Sequence, residues 1–121
     1  MRVKSKKISG ELYKHLYQTE RGCVYRNGMN ENLFMMDFGN MFLSLSKVNF
    51  ITFKDFITTI KLTEIHKLIV QPSNKIIIQP MKSMGFYAFT ESQFIELQEL
   101  ILKSFDLIEI EDEINLLLNA S

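Results

Sequence analysis

Cys23 and His15 are the two side chains whose types could support nucleophilic catalysis. A thiol beside an imidazole can lose its proton and become a reactive thiolate, and the two residues lie on neighbouring strands predicted at residues 12–19 and 23–26. The sequence supplies neither a third group to orient the imidazole nor an oxyanion site. We therefore interpret Cys23 as a half-buried structural cysteine, predict no catalytic residues, and expect a protein that is not an enzyme.

Metal chemistry has equally little support. A structural zinc site needs about four ligands with short spacings, whereas Cys23, His15 and His66 are scattered along the chain. The acidic run at residues 109–113 lacks the glycine turn and the alternating ligands of a calcium loop. We interpret it as the solvated start of a helix, and we expect no metal and no cofactor.

Asp37-Phe38-Gly39 spells the magnesium-binding tripeptide of protein kinases. A kinase also needs a glycine-rich loop, a strand lysine and a catalytic-loop motif, and none of these is present. The tripeptide is predicted to be a hairpin turn, with Phe38 as its anchor to the core.

Charge is balanced overall but divided along the chain. Fourteen basic residues match fourteen acidic ones, which argues against a nucleic-acid partner. The first residues are mainly basic, and the last charged residues, from Asp106 to Glu113, are all acidic. We expect the two ends to attract each other, within one chain or between chains. Nucleic-acid binding through the basic lead (Arg2, Lys4, Lys6 and Lys7) is the alternative function.

The composition predicts one domain over residues 1–121, with residues 1–10 as a flexible basic lead. A chain with 46% hydrophobic residues can bury a core without metals or disulfides. Cys23 is the only cysteine, so no intrachain disulfide can form. No apolar run is long enough for a signal peptide or a membrane span. We expect a cytoplasmic location and no membrane partner.

Two similar strand-strand-helix units are predicted. In the first, strands at residues 33–37 and 41–45 flank Gly39-Asn40, and Ser46 caps a helix whose apolar stripe includes Phe50, Phe53 and Phe56. In the second, strands at residues 75–79 and 86–89 precede a capping box at residues 90–93 and a helix beginning near Phe94. An offset of 44 positions aligns Ser46 with Thr90 and Phe50 with Phe94, which indicates an internal repeat.

These units predict an α+β fold, an antiparallel sheet of about four to six strands with two helices on one face. Leu107, Ile110, Ile114, Leu117 and Leu118 fit a possible third helix at the C-terminus, although residues 106–110 could also form a strand.

The central strands show apolar residues on both faces. Residues 33–36 and 76–78 do not alternate as a strand with one solvated face should. A cover is therefore expected, either the C-terminal segment or a second copy of the chain. We predict a homodimer, and the candidate interface residues are Leu33, Met35, Ile76 and Ile78.

The stretch from Leu33 to Ser46, followed by Phe50, Phe53 and Phe56, resembles a family of short uncharacterised Bacteroidetes proteins, a domain of unknown function. In that family a Phe-Gly-Asn hairpin precedes a Phe-bearing helix. The resemblance covers roughly residues 12–62 and implies a bacterial cytosolic protein. Some members carry a pair of cysteines ahead of the hairpin, which implies a metal site, but Cys23 stands alone here.

The sequence thus favours a non-enzymatic protein-interaction or regulatory module that self-associates and also binds an unidentified protein partner. The missing catalytic constellation argues against an enzyme. The neutral balance of charge argues against the nucleic-acid alternative.

Overall fold

The structure, a computed structural model, describes residues 5–8, 11–82 and 84–119. It has the α+β class that the sequence predicted. In chain order the elements are β1 (Ser5–Ile8), β2 (Glu11–Gln18), β3 (Gly22–Asn27), β4 (Leu33–Phe38), β5 (Met41–Ser46), α1 (Lys47–Thr58), α2 (Leu62–Ile65), a 3-10 turn (His66–Leu68), β6 (Ile69–Val70), β7 (Lys75–Ile78), β8 (Tyr87–Phe89) and α3 (Glu91–Asn119).

The first five strands form one antiparallel sheet in the order β1-β2-β3-β4-β5. Each strand pairs with the next along the chain, because short turns connect them. In the predicted hairpin Phe38 pairs with Met41, and Gly39 adopts a φ of 57°, a conformation that glycine reaches without a Cβ clash. The strand count falls within the predicted four to six.

Part of the predicted flexible lead forms a strand, and the flexibility of the lead stays a prediction. Ser5–Ile8 forms β1 and pairs with β2, with Ser5 opposite Lys14. Residues 1–4, 9 and 10 lie outside the described residues. The β-ladder places Lys6 and Lys7 in the sheet backbone rather than in an unstructured tail.

Both main helices begin at the caps that the sequence predicted. The Asn49 amide donates to the Ser46 hydroxyl over 3.2 Å at the start of α1. At the start of α3 the capping box is complete, since the Gln93 amide donates to Thr90 Oγ1 over 3.2 Å and the Thr90 amide donates to Gln93 Oε1 over 2.9 Å. These bonds satisfy amides that would otherwise lack helical partners.

The helices bury their apolar stripes against one common core. Phe50, Phe53 and Ile57 of α1 are buried there, although Phe56, predicted in the same stripe, is half-exposed. The buried residues of α3 are Phe94, Leu97, Leu100, Ile101, Ser104 and Ile108. As predicted, the order strand, strand, helix occurs twice, as β4-β5-α1 and as β7-β8-α3.

The sequence predicts that the strands of both units join in one sheet. In the structure they belong to two sheets. Strands β7 and β8 form a separate three-stranded sheet with β6. The physical reason is a short strand that was not predicted: Ile69 pairs with Ile76, so β6 occupies the other edge of β7. The two sheets meet through their side chains, with the rings of Phe38 and Phe89 5.8 Å apart.

The possible third helix is instead the continuation of α3, which runs unbroken for 29 residues. Residues 91–119 contain neither Gly nor Pro, so nothing in this stretch stops a helix once it has started. The alternative strand at residues 106–110 is wrong for the same reason.

Candidate interaction site

His15 and Cys23 lie on the sheet face opposite the helices, but they do not face each other across the strands. His15 pairs with Tyr25, and Cys23 pairs with Gln18. The His15 imidazole lies 3.1 Å from Gln18 Oε1 and edge-on to the Tyr25 ring. Burial, followed by a hydrogen bond with Cys23, raises the pKa of Tyr25 to about 12, so this phenol stays protonated at neutral pH. Cys23 is buried, which fits a packing role.

The other predicted chemical motifs are also structural. Asp37 and Phe38 end β4, Gly39 opens the hairpin turn, and the Phe38 ring is buried as predicted. His66 lies in the 3-10 turn. Within residues 5–8, 11–82 and 84–119 no group of three or more His, Cys, Asp or Glu side chains could hold a metal ion.

The candidate interface residues are mostly inside the monomer. Met35 is 3% exposed, Ile76 and Ile78 are buried, and only Leu33 is half-buried. Ile76 and Ile78 face the core, whereas Ile77 between them is 43% exposed, so β7 alternates after all. The four residues also lie on two different sheets and form no shared exposed patch. The homodimer itself stays a prediction.

An ion-pair network attaches the C-terminal part of α3 to the sheet. Arg26 on β3 donates to Glu111 and Asp112, each over 2.8 Å. Lys14 on β2 lies 3.1 Å from Glu111, and Lys47 at the start of α1 contacts Asp112. The expected attraction between the basic start and the acidic end is therefore confirmed within one chain.

Arg26 is the centre of this network because its strand position points it into the core. Val24 and Arg26 lie two residues apart on β3, so both face the helices, and the Arg26 side chain is only 4% exposed. Its Nε donates to the Glu31 carbonyl over 2.9 Å, and its guanidinium lies 5.2 Å from the Phe34 ring centre. A buried guanidinium needs such partners, because an unpaired buried charge is costly.

The network favours the charged forms of Arg26 and Asp112. Burial acts to raise the pKa of Asp112, but hydrogen bonds from Lys47 and Arg26 outweigh it and hold the pKa below its ordinary value. Burial likewise acts to lower the pKa of Arg26, and the bonds to Asp112 and Glu111 raise it above its ordinary value. The ion pairs persist at neutral pH.

An exposed apolar stripe lies on the same part of α3. Ile110, Ile114 and Leu117 follow at spacings of four and three, which places them on one side of the helix. They are 52%, 50% and 68% exposed. Beyond Ile108 no described residue of α3 is buried, so this last part of the helix extends past the core. We call these three residues the α3 stripe.

An acidic column runs beside the α3 stripe. Asp106, Glu109 and Glu113 recur at spacings of three and four, which lines them up along the helix, and all three are exposed. None of them forms an ion pair in the part of the chain that the structure describes. No basic residue follows Lys103. The stripe therefore has an acidic border along this side, whereas the Lys14–Glu111 pair lies near Ile114 on the other side.

A second polar cluster, centred on the Glu96 carboxylate, fixes the opposite half of α3. Glu96 accepts hydrogen bonds from the Thr19 hydroxyl and the Arg21 amide, each over 2.7 Å, and it pairs with the Arg21 guanidinium. Burial acts to raise the pKa of Glu96, but these bonds lower it overall. The cluster joins α3 to the β2–β3 turn and positions the helix that carries the stripe.

A family of unknown function, DUF6686, matches the chain over residues 10–119. The chain belongs to this family. The match covers the whole of β2 through α3, so it includes both the ion-pair network and the α3 stripe. No curated protein and no solved structure matches the chain. Among the described residues of this DUF6686 member, no helix is both long and apolar enough to cross a membrane.

The sequence indicated the residues of the stripe but not their exposure. Ile110, Ile114 and Leu117 were predicted as the buried side of a third helix. In the structure of this DUF6686 member they face away from the core. The sequence carried no signal for this exposure, because the spacing of these residues is also that of a buried helix stripe.

Proposed function

We propose that the protein is a non-enzymatic module that binds another protein through the α3 stripe. The observation that supports the proposal is the row of Ile110, Ile114 and Leu117 on a helix segment that extends past the core. Scattered exposed apolar residues are ordinary, whereas a contiguous row on one helix side is typical of an interaction surface. The ion-pair network supports the same role, because it holds the segment in place before a partner arrives and so lowers the entropic cost of binding.

The partner in this proposal is a different protein. A second copy would bring the same acidic column, with Glu109 and Glu113 again lacking a basic residue to pair with. The self-association expected from the sequence therefore becomes an outcome to be tested. The chain has a single cysteine and forms no intrachain disulfide, which supports a cytoplasmic location for this activity.

The ion-pair network adds no basic residues to the alternative, which is nucleic-acid binding through the basic lead. Lys14, Arg26 and Lys47 direct their charges to Glu111 and Asp112 and are thus unavailable to phosphate. The acidic column would repel a phosphate backbone.

Site-specific photo-crosslinking in the cell of origin tests the proposal. A photoreactive phenylalanine analogue replaces Leu117 in one variant and Phe86 in a control, since Phe86 is 70% exposed and directly precedes β8, near the start of α3. We expect a crosslink to a different protein from position 117 and none from position 86. A product of twice the chain mass would indicate self-association instead, and equal crosslinking from both positions would contradict a specific stripe site.

A further inference from the structure

The acidic column limits which partner the α3 stripe can bind. We infer that the partner presents a basic amphipathic helix, with an apolar ridge that packs on Ile110, Ile114 and Leu117 and with Lys or Arg beside that ridge. This inference rests on the proposed function and specifies the chemistry of its partner.

The geometry of the α3 stripe favours a helix as its partner. From Ile110 to Leu117 the helix rises by about 10 Å, which is two turns of exposed apolar side chains. A second helix can bury such a row by placing its own side chains at spacings of three and four between them. An extended strand would find no backbone partner on a helix surface, since the helix uses its own amides and carbonyls internally.

The carboxylates beside the α3 stripe favour a basic partner. Glu111 and Asp112 already have basic partners within the chain, but Asp106, Glu109 and Glu113 have no ion-pair partner among the described residues. A partner that covered the stripe with neutral or acidic residues would place these carboxylates near a drier surface without compensation, which is unfavourable. Basic residues at the border of the contact would pair with them while staying partly solvated.

The same charges disfavour a second copy of the chain as the partner. After Lys103 the chain contains five acidic residues and no basic one. Two copies that met through this surface would bring like charges together, and like charges across an interface reduce affinity. The same charges disfavour an anionic membrane surface.

A pair of synthetic peptides tests the inference on the full chain. One is a roughly 18-residue helical peptide, about five turns long, with Leu at spacings of three and four and Lys beside them. The other replaces each Lys with Glu. Binding is measured by fluorescence anisotropy at low and moderate salt. We expect the Lys peptide to bind more tightly at low salt, since exposed charge pairs are screened as salt rises, and the Glu peptide to bind at least about tenfold more weakly.

Two double variants separate the apolar from the charged contribution. Ile114→Ser with Leu117→Ser should weaken binding of the Lys peptide by about tenfold or more, because loss of central apolar contacts has such an effect in other interfaces. Glu109→Lys with Glu113→Lys should reverse the preference, so that the Glu peptide binds and the Lys peptide does not. The matched control is Glu20→Lys with Glu64→Lys, which makes the same change of net charge at exposed positions elsewhere and should alter binding less than about twofold.

The outcomes distinguish two kinds of failure. If the serine variant binds the Lys peptide as the wild type does, the stripe is not the binding surface and the proposed function fails. If the serine variant loses binding but the charge-reversed variant keeps the preference of the wild type, the stripe is the binding surface and the inference of a basic partner is wrong. If light scattering showed a dimer that the serine substitutions abolished, the partner of the stripe would be a second copy of the chain and not a basic helix. Circular dichroism confirms that each variant is folded.

Discussion

The two halves of α3 are held to the rest of the molecule by different forces. Up to Ile108 the helix buries apolar side chains such as Leu97 and Leu100, which are fully inaccessible. From Glu109 to Asn119 none of its residues is buried, and the attachment runs through Arg26 to Glu111 and Asp112. Apolar burial is non-directional and scales with area, whereas an ion pair depends on geometry, salt and pH. One continuous helix can therefore combine a stable half with a half that is free to contact a partner.

The largest expected effect comes from the buried half. Leu97→Ala should lower the free energy of unfolding by about 3–5 kcal/mol, because the substitution removes buried methyl groups and leaves a cavity. Urea unfolding measures this change. The control is Leu102→Ala on the same helix, where the side chain is 45% exposed, and the expected change there is below about 1 kcal/mol. Similar losses in the two variants would contradict the division of α3 into a buried and an exposed side.

A smaller and local effect is expected from the charged half. Arg26→Met keeps an apolar stem but removes the centre of the network, so amide exchange at residues 109–119 should accelerate while residues 94–108 stay protected. We expect a loss of about 1–3 kcal/mol in the local opening free energy. The loss stays in that range because Glu111 and Asp112 remain partly exposed and water can solvate them.

Lys14→Met is the matched control for the network. It removes one cation from Glu111 at an exposed position, and exposed ion pairs contribute about 1 kcal/mol or less. If Arg26→Met accelerated exchange throughout α3 equally, the two halves would form one cooperative unit and the comparison would fail.

The parts of the fold that were predicted from the sequence are those governed by neighbouring residues. The Ser46 cap, the Thr90–Gln93 capping box and the Gly39 turn each depend on a few adjacent side chains, and all three were confirmed. The pairing of β6 with β7 was missed, because a two-residue strand has no periodicity to detect. The prediction that both units share one sheet was wrong for a different reason, because the choice of strand partner depends on distant segments.

The candidate site was predictable only in part. The attraction between the basic start and the acidic end could be expected from charge alone, but Arg26 could not be identified as its centre without knowing which way β3 faces. The exposure of the α3 stripe was also hidden, because Ile110 and Ile114 have the same helical spacing as the buried Leu97 and Ile101. A helix of 29 residues is about 44 Å long, roughly twice a six-residue strand, so its end has no sheet left to cover.

Acid should release the charged half of α3 before it affects the buried half. The pKa of Asp112 in the folded protein is lower than its ordinary value of about 3.9. The stabilisation by this carboxylate is therefore fully present above that ordinary value and is lost as the pH falls through the lower folded-state pKa. Backbone chemical shifts of residues 112–119, followed by NMR from pH 7 to strongly acidic solution, should lose their helical character over this range. Asp112→Asn, which cannot be charged, should already show weakened helical shifts at pH 7 and no further step that belongs to this residue. An identical acid transition in the variant and the wild type would mean that Asp112 does not hold the segment, and that the attachment depends on Glu111 or on packing instead.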